Sequence, residues 1–167
     1  MKARKILFYV FLALSIATNI LIIVESCIGG DDSASQSFSF SQWFMEMLQS
    51  MGITVTDKEA FMAVFRKVVG HFLLFGVSGT FTMLSLCFND FLYNKFKWIN
   101  TLFCLGLGVS VAVISELIQV FVPGRVGAFT DVFIDLGGFV LFGGLAYLIF
   151  FLIVRHHQKK LQNKNSD

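Results

Sequence analysis

An all-α membrane protein, a four-helix transmembrane bundle with an amphipathic helix in its first outer loop, is the fold class that three observations predict. Of the 167 residues, 56% are hydrophobic and only 14% are charged. A soluble domain carries roughly 25% charged residues and about 45–50% apolar ones, so this chain lacks the polar surface for water. Four apolar stretches also reach the length of about 20 residues that a spanning helix needs. The same composition excludes a disordered chain and a disulfide scaffold, and a net charge of +2 is too small for a nucleic-acid partner.

The first span runs from Ile6 to Val24, interrupted by Ser15, Thr18 and Asn19. Its 19 apolar-dominated residues exceed the signal-peptide core of about 7–15, and no small-x-small site follows, so a retained helix is expected. Glu25 spoils the lipoprotein-like run Val24-Glu25-Ser26-Cys27. The second span is expected from about Val68 to Phe88, the third from Trp98 to Val122 and the fourth from Val132 to Val154. Residues 1–5 then form an N-terminal tail, 6–154 the transmembrane domain and 155–167 a basic tail.

Lysine and arginine set the orientation. With the N-terminus inside, Lys2, Arg4, Lys5, Lys95, Lys97, Arg155, Lys159, Lys160 and Lys164 are cytoplasmic. Only Lys58, Arg66, Lys67 and Arg125 lie outside. The positive-inside rule therefore places both termini in the cytoplasm. Cys27 falls near the outer face, with Cys87 and Cys104 toward the cytoplasmic ends, too far from it for a disulfide. All three are read as packing residues, and no metal site or cofactor is expected.

The outer loop is long enough to hold structure. Phe40, Trp43, Phe44, Met47, Leu48 and Met51 recur with the spacing of one helical stripe, with serine and glutamine opposite. Such a helix lies flat on the membrane surface or covers the bundle. Thr56-Asp57-Lys58-Glu59 reads as a capping box that opens a helix running straight into the second span.

Ionisable residues inside a bilayer are costly and mark functional sites. At 1.5 Å per residue, His71 lies about 6 Å deep, Glu116 about 10 Å and Asp135 about 6 Å, all in the outer half. Arg66, Lys67, Arg125 and Asp131 sit at the rim above them. Glu116 and Gln119 share one face of the third helix, continued by Ala112 and Gly108. Asp131 and Asp135 share a face of the fourth, continued by Gly138 and Phe142. Carboxylates at that spacing repel unless a cation or proton intervenes, and Arg125 is the nearest cation in sequence. Gly137, Gly138, Gly143 and Gly144 are read as helix-packing positions.

Together, Arg66-Lys67-Val68-Val69-Gly70-His71-Phe72, Ser115-Glu116-Leu117-Ile118-Gln119, Pro123-Gly124-Arg125 and Asp131-Val132-Phe133-Ile134-Asp135-Leu136-Gly137-Gly138 resemble the VanZ-like family of bacterial membrane proteins. Ser26, Ser33 and Ser37 of the outer loop are similar too. The resemblance covers about residues 6 to 154. In that family the position of Asp135 is more often asparagine, so the site here is more anionic or holds a proton. The resemblance implies a bacterial cell-membrane protein that lowers susceptibility to the glycopeptide teicoplanin, without a catalytic assignment.

Two functions fit the residues best, with transport, for which four helices would need to oligomerise, as a third. In the first, Arg66, His71, Glu116, Gln119, Arg125, Asp131 and Asp135 line an outward pocket for an anionic ligand, such as a lipid-linked cell-wall precursor, with membrane lipids or the glycopeptide itself as further partners. In the second, His71 with Glu116 or Asp131 acts as general base and orienter in a hydrolase or transferase at a phosphate or acyl group. No nucleophile motif, P-loop or zinc-ligand spacing accompanies the second. The plainer alternative is that these groups hold the helices together by hydrogen bonds.

Overall fold

A computed structural model describes residues 2–93 and 98–164. Among them no strand occurs. The elements are α1 (Lys2–Ser26), α2 (Gly30–Ser50), α3 (Lys58–Phe65), a π-helical segment (Arg66–Leu73), α4 (Leu74–Tyr93), α5 (Trp98–Phe121) and α6 (Phe129–Lys164). Four runs are long and apolar enough to cross a membrane: Lys2–Ser26, Lys58–Asn89, Asn100–Phe121 and Phe129–Lys160. They coincide with the four expected spans, and the chain is an all-α, multi-pass membrane protein. Lys95 and Lys97, which entered the orientation argument, lie outside the described residues, as do residues 165–167 of the basic tail.

The burial pattern differs from that of a soluble bundle, since small polar residues share the interior with an apolar core of Ile22, Phe75, Val111 and Phe139. Tyr9, Phe103, Leu102 and Ile153 are exposed on the lateral surface, whereas Ser15, Ser26, Ser78, Thr82, Ser85 and Ser115 are buried. Lipid tails are as apolar as leucine, so burying leucine between helices gains little there. Close packing and hydrogen bonds hold the helices instead. Glycine lets α6 approach both α4 and the π-helical segment closely. A Cβ on Gly79 would stand 2.2 Å from the carbonyl oxygen of Phe139, and one on Gly138 would stand 2.0 Å from that of Phe72. Of the four glycines expected to pack, Gly138 and Gly143 meet a neighbouring backbone, Gly137 makes only an ordinary contact and Gly144 faces open space. On α5, Gly108 receives the Phe139 ring and Ala112 is fully buried, as the shared face with Glu116 requires.

Helix α1 joins α4 through a polar seam. Ser15 Oγ lies 2.7 Å from Thr82 Oγ1, and Ser78 donates to Asn19 Oδ1 at 3.1 Å. The cysteines divide differently from the expectation. Cys87 and Cys104 are buried packing residues, but Cys27 is exposed, because it follows the last turn of α1.

The outer-loop helix exists and is longer than its apolar stripe. It begins at Gly30, whose N–H donates to the Pro123 carbonyl at 3.0 Å, so a tertiary contact fixes its start. A Cβ on Gly30 would overlap the Gly124 carbonyl, and Gly124 itself has φ +73°, so both positions call for glycine. Met51 is the C-cap rather than part of the stripe. Phe44 packs on Phe61 and Phe65, and Phe40 also touches Phe65. The face opposite the stripe is not wholly polar surface: Ser41 is fully buried and donates to Met62 Sδ, with Met45 buried beside it. Phe40, Trp43 and Met47 remain exposed. The capping box is displaced by one residue. Asp57, not Thr56, is the N-cap, and its carboxylate accepts from the Ala60 N–H at 3.0 Å. From there the chain runs into the second span without a break, as expected.

Candidate functional site

The π-helical segment shapes the first wall of the site. Residues five apart in an α-helix point about 140° away from each other, given 3.6 residues per turn. The i→i+5 bonding of a π-helix brings such residues much nearer to one face. Arg66 and His71 are five apart, and both line the same two clefts. Sequence periodicity treated this stretch as ordinary helix, and nothing in it announces the change of register.

Three helices then deliver three ionisable groups to one point. His71 Nδ1 lies 3.0 Å from Asp135 Oδ1 on α6 and 3.7 Å from Glu116 Oε1 on α5. The Asp135 side chain is fully buried, and the other two are nearly so. The convergence expected from helix depth is therefore observed. Gln119 Nε2 donates to Glu116 Oε1 at 3.4 Å, as their shared helical face predicts. The second carboxylate oxygen of Glu116 accepts from the Ala128 N–H at 2.9 Å. That bond ties the Pro123–Ala128 loop back onto α5. Gly127 allows the approach, since a Cβ there would stand 2.6 Å from the Glu116 carbonyl oxygen.

The rim differs from the expected pairing. Asp131 accepts from Lys67 Nζ at 2.6 Å, so Lys67 holds the place assigned to Arg125. The physical reason is position: Lys67 is on the same helical face as His71, four residues away, and α6 packs against that segment. Arg125 instead lines both clefts with Arg66. Burial, followed by the Arg66 guanidinium, pushes Arg125 below its ordinary value. Glu116 and Glu25 act in the opposite direction on the same group.

Two adjoining clefts share Arg66, His71, Gln119 and Arg125. One, of about 270 Å³, reaches toward α1 and includes Glu25, Ser26 and Ser115. The other, of about 380 Å³, opens at the rim past Lys67, Ala128 and Asp131. All seven residues expected to form the site thus fall in one neighbourhood: Arg66, His71, Gln119, Arg125 and Asp131 line clefts, while Glu116 and Asp135 stand behind His71.

Three contributors were missed. Lys67 had been noted at the rim but not as the partner of Asp131. Ser26 Oγ lies 2.9 Å from Ser115 Oγ and draws α1 to the site, a contact between residues 89 apart that no local pattern encodes. The Ala128 N–H is a backbone donor, invisible to any reading of side-chain types. No family model, no curated protein and no solved structure matches the chain.

Proposed function

We propose that this is a VanZ-like protein of the bacterial cell membrane, with both termini cytoplasmic, that binds an anionic cell-envelope ligand in an outward-facing polar pocket. The observation that carries the reading is the pair of clefts with Arg66, Arg125, His71 and Gln119 as their common wall. Guanidinium, imidazole and amide donors arranged this way suit a phosphate or carboxylate through charge-assisted hydrogen bonds. The excess of basic residues on the opposite side supports the outward orientation. A lipid-linked cell-wall precursor carries such a group, and its capture is the proposed link to lowered susceptibility to teicoplanin. The exposed Phe40, Trp43 and Met47 on α2 suit an interfacial helix beside the pocket.

A second reading has one observation in its favour. The His71–Asp135 hydrogen bond, with Glu116 beside it, is the base-and-orienter arrangement of a hydrolase or transferase acting on a lipid-linked phosphate or acyl group.

Lipid co-purification beside a turnover assay on lipid-linked phosphates tests both. We expect a specific anionic lipid to be retained by the wild-type protein and lost from an Arg66→Ala, Arg125→Ala variant that is inserted in the membrane at normal abundance. Product formation abolished by His71→Ala establishes the enzyme instead. Equal lipid retention by wild type and the double variant, without turnover, removes both.

A further inference from the structure

We infer that His71, Glu116 and Asp135 form a binding site for a divalent transition-metal cation, with zinc the best fit. Their donor atoms, one from each residue, all lie within 4.8 Å of one another. No spacing in the sequence reveals this, because the ligands come from the π-helical segment, α5 and α6.

Four features support the assignment. The first is geometry. Two ligands about 2.0–2.1 Å from a tetrahedral zinc ion are about 3.3 Å apart. The His71–Asp135 and His71–Glu116 separations of 3.0 and 3.7 Å bracket that value. The second is an orphaned atom. Asp135 Oδ2 is, among the described residues, the one buried side-chain oxygen or nitrogen without a hydrogen-bond partner. It belongs to a fully buried side chain in the membrane-spanning part of α6. A buried polar atom without a partner is costly, and coordination by both carboxylate oxygens of Asp135, Oδ1 beside His71 and Oδ2, satisfies it. The third is charge. Metal ligation takes both carboxylates ionised and the imidazole neutral, a dianionic set, and Lys67 is engaged by Asp131 rather than by either carboxylate. A divalent cation neutralises that cluster.

The fourth feature is the support around the ligands. Glu116 is held by the Ala128 N–H and by Gln119. Ligating carboxylates are held in this manner by an outer shell. One imidazole and two carboxylates also match the ligand chemistry of zinc, and three protein ligands leave a fourth position for water or an anion. The clefts that share His71 give access to that region.

This site does not depend on the anionic ligand proposed above. Metal binding without lipid retention, or lipid retention without metal, separates the two readings. The test uses the full-length protein in detergent, stripped with a chelator, exposed to zinc chloride and desalted. We expect about one zinc ion per chain by elemental analysis. Cobalt chloride in its place should give the visible absorption of a site with low coordination number. Glu116→Gln and Asp135→Asn, which keep side-chain shape, should each weaken zinc binding at least tenfold, whereas Ser15→Ala should leave it unchanged. If either site variant fails to fold, the wild-type stoichiometry and the cobalt spectrum decide. Substoichiometric zinc with no cobalt absorption overturns the site, and so does full zinc loading of a folded Glu116→Gln, Asp135→Asn double variant.

Discussion

Two buried polar regions of this molecule are built from opposite materials. The seam between α1 and α4 uses Ser15, Asn19, Ser78 and Thr82, which are neutral and satisfy one another across the helix interface. The cluster at the end of the bundle uses His71, Glu116 and Asp135, which are ionisable, and it leaves Asp135 Oδ2 without a partner. Neutral hydroxyls and an amide are the least costly way to hydrogen-bond helices in lipid. Three ionisable groups at one point are a costly way to do the same thing. The difference separates glue from site.

The sharpest way to break this comparison is to disturb the packing that carries His71 to α6. Gly138→Val should drive a side chain into the Phe72 backbone, where nothing flexible yields. Overpacking costs about 1–3 kcal/mol, and a backbone obstacle places this variant at or above the top of that range. Thermal unfolding in detergent should show the loss, and the amount of membrane-inserted protein should fall with it. A Gly138→Val protein as stable as wild type would mean that the π-helical segment and α6 do not pack as described.

A smaller effect tests the cluster itself. Glu116→Leu removes the acceptor of the Ala128 N–H and leaves that donor unsatisfied in a half-buried loop. We expect a destabilisation of about 1–3 kcal/mol. If the proposed function holds, loss of teicoplanin protection should be far larger than the fall in protein abundance. Blotting the membrane fraction beside a susceptibility assay separates the two quantities. Protection that falls only in step with abundance would make the cluster structural, like the seam.

The smallest effect belongs to the seam. Ser15→Ala breaks one interhelical hydrogen bond with Thr82, and such bonds are worth about 0.6 kcal/mol on average in a membrane bundle. Protection should stay at the wild-type level. If Ser15→Ala matched Glu116→Leu in either stability or protection, the distinction between the two regions would disappear.

The residues of the cluster were legible before any coordinates because the membrane imposes a ruler. With a fixed rise per residue, His71, Glu116 and Asp135 had to fall at similar depth once the spans were assigned. Depth is one coordinate of three, however. It left the rim pairing open, and Asp131 took Lys67 where the nearest cation in sequence had been Arg125. The cap of α3 shows the same limit at short range. Thr56 and Glu59 fit the capping pattern, but the Asp57 carboxylate reaches the Ala60 N–H directly and wins.

The sequence by itself determined the four spans, the helix between the first two and the level along the bundle at which the ionisable groups meet. Those follow from apolar length, helical period and the cost of charge in lipid, which are local or one-dimensional quantities. Only the tertiary structure decided how the helices meet. The glycines that touch backbone, the Ser26–Ser115 contact, the loop held by Glu116 and the π-helical turn that aligns Arg66 with His71 all depend on packing. Packing between helices is a balance of close contacts and hydrogen bonds over residues far apart in the chain, and no periodicity along one helix contains its partner.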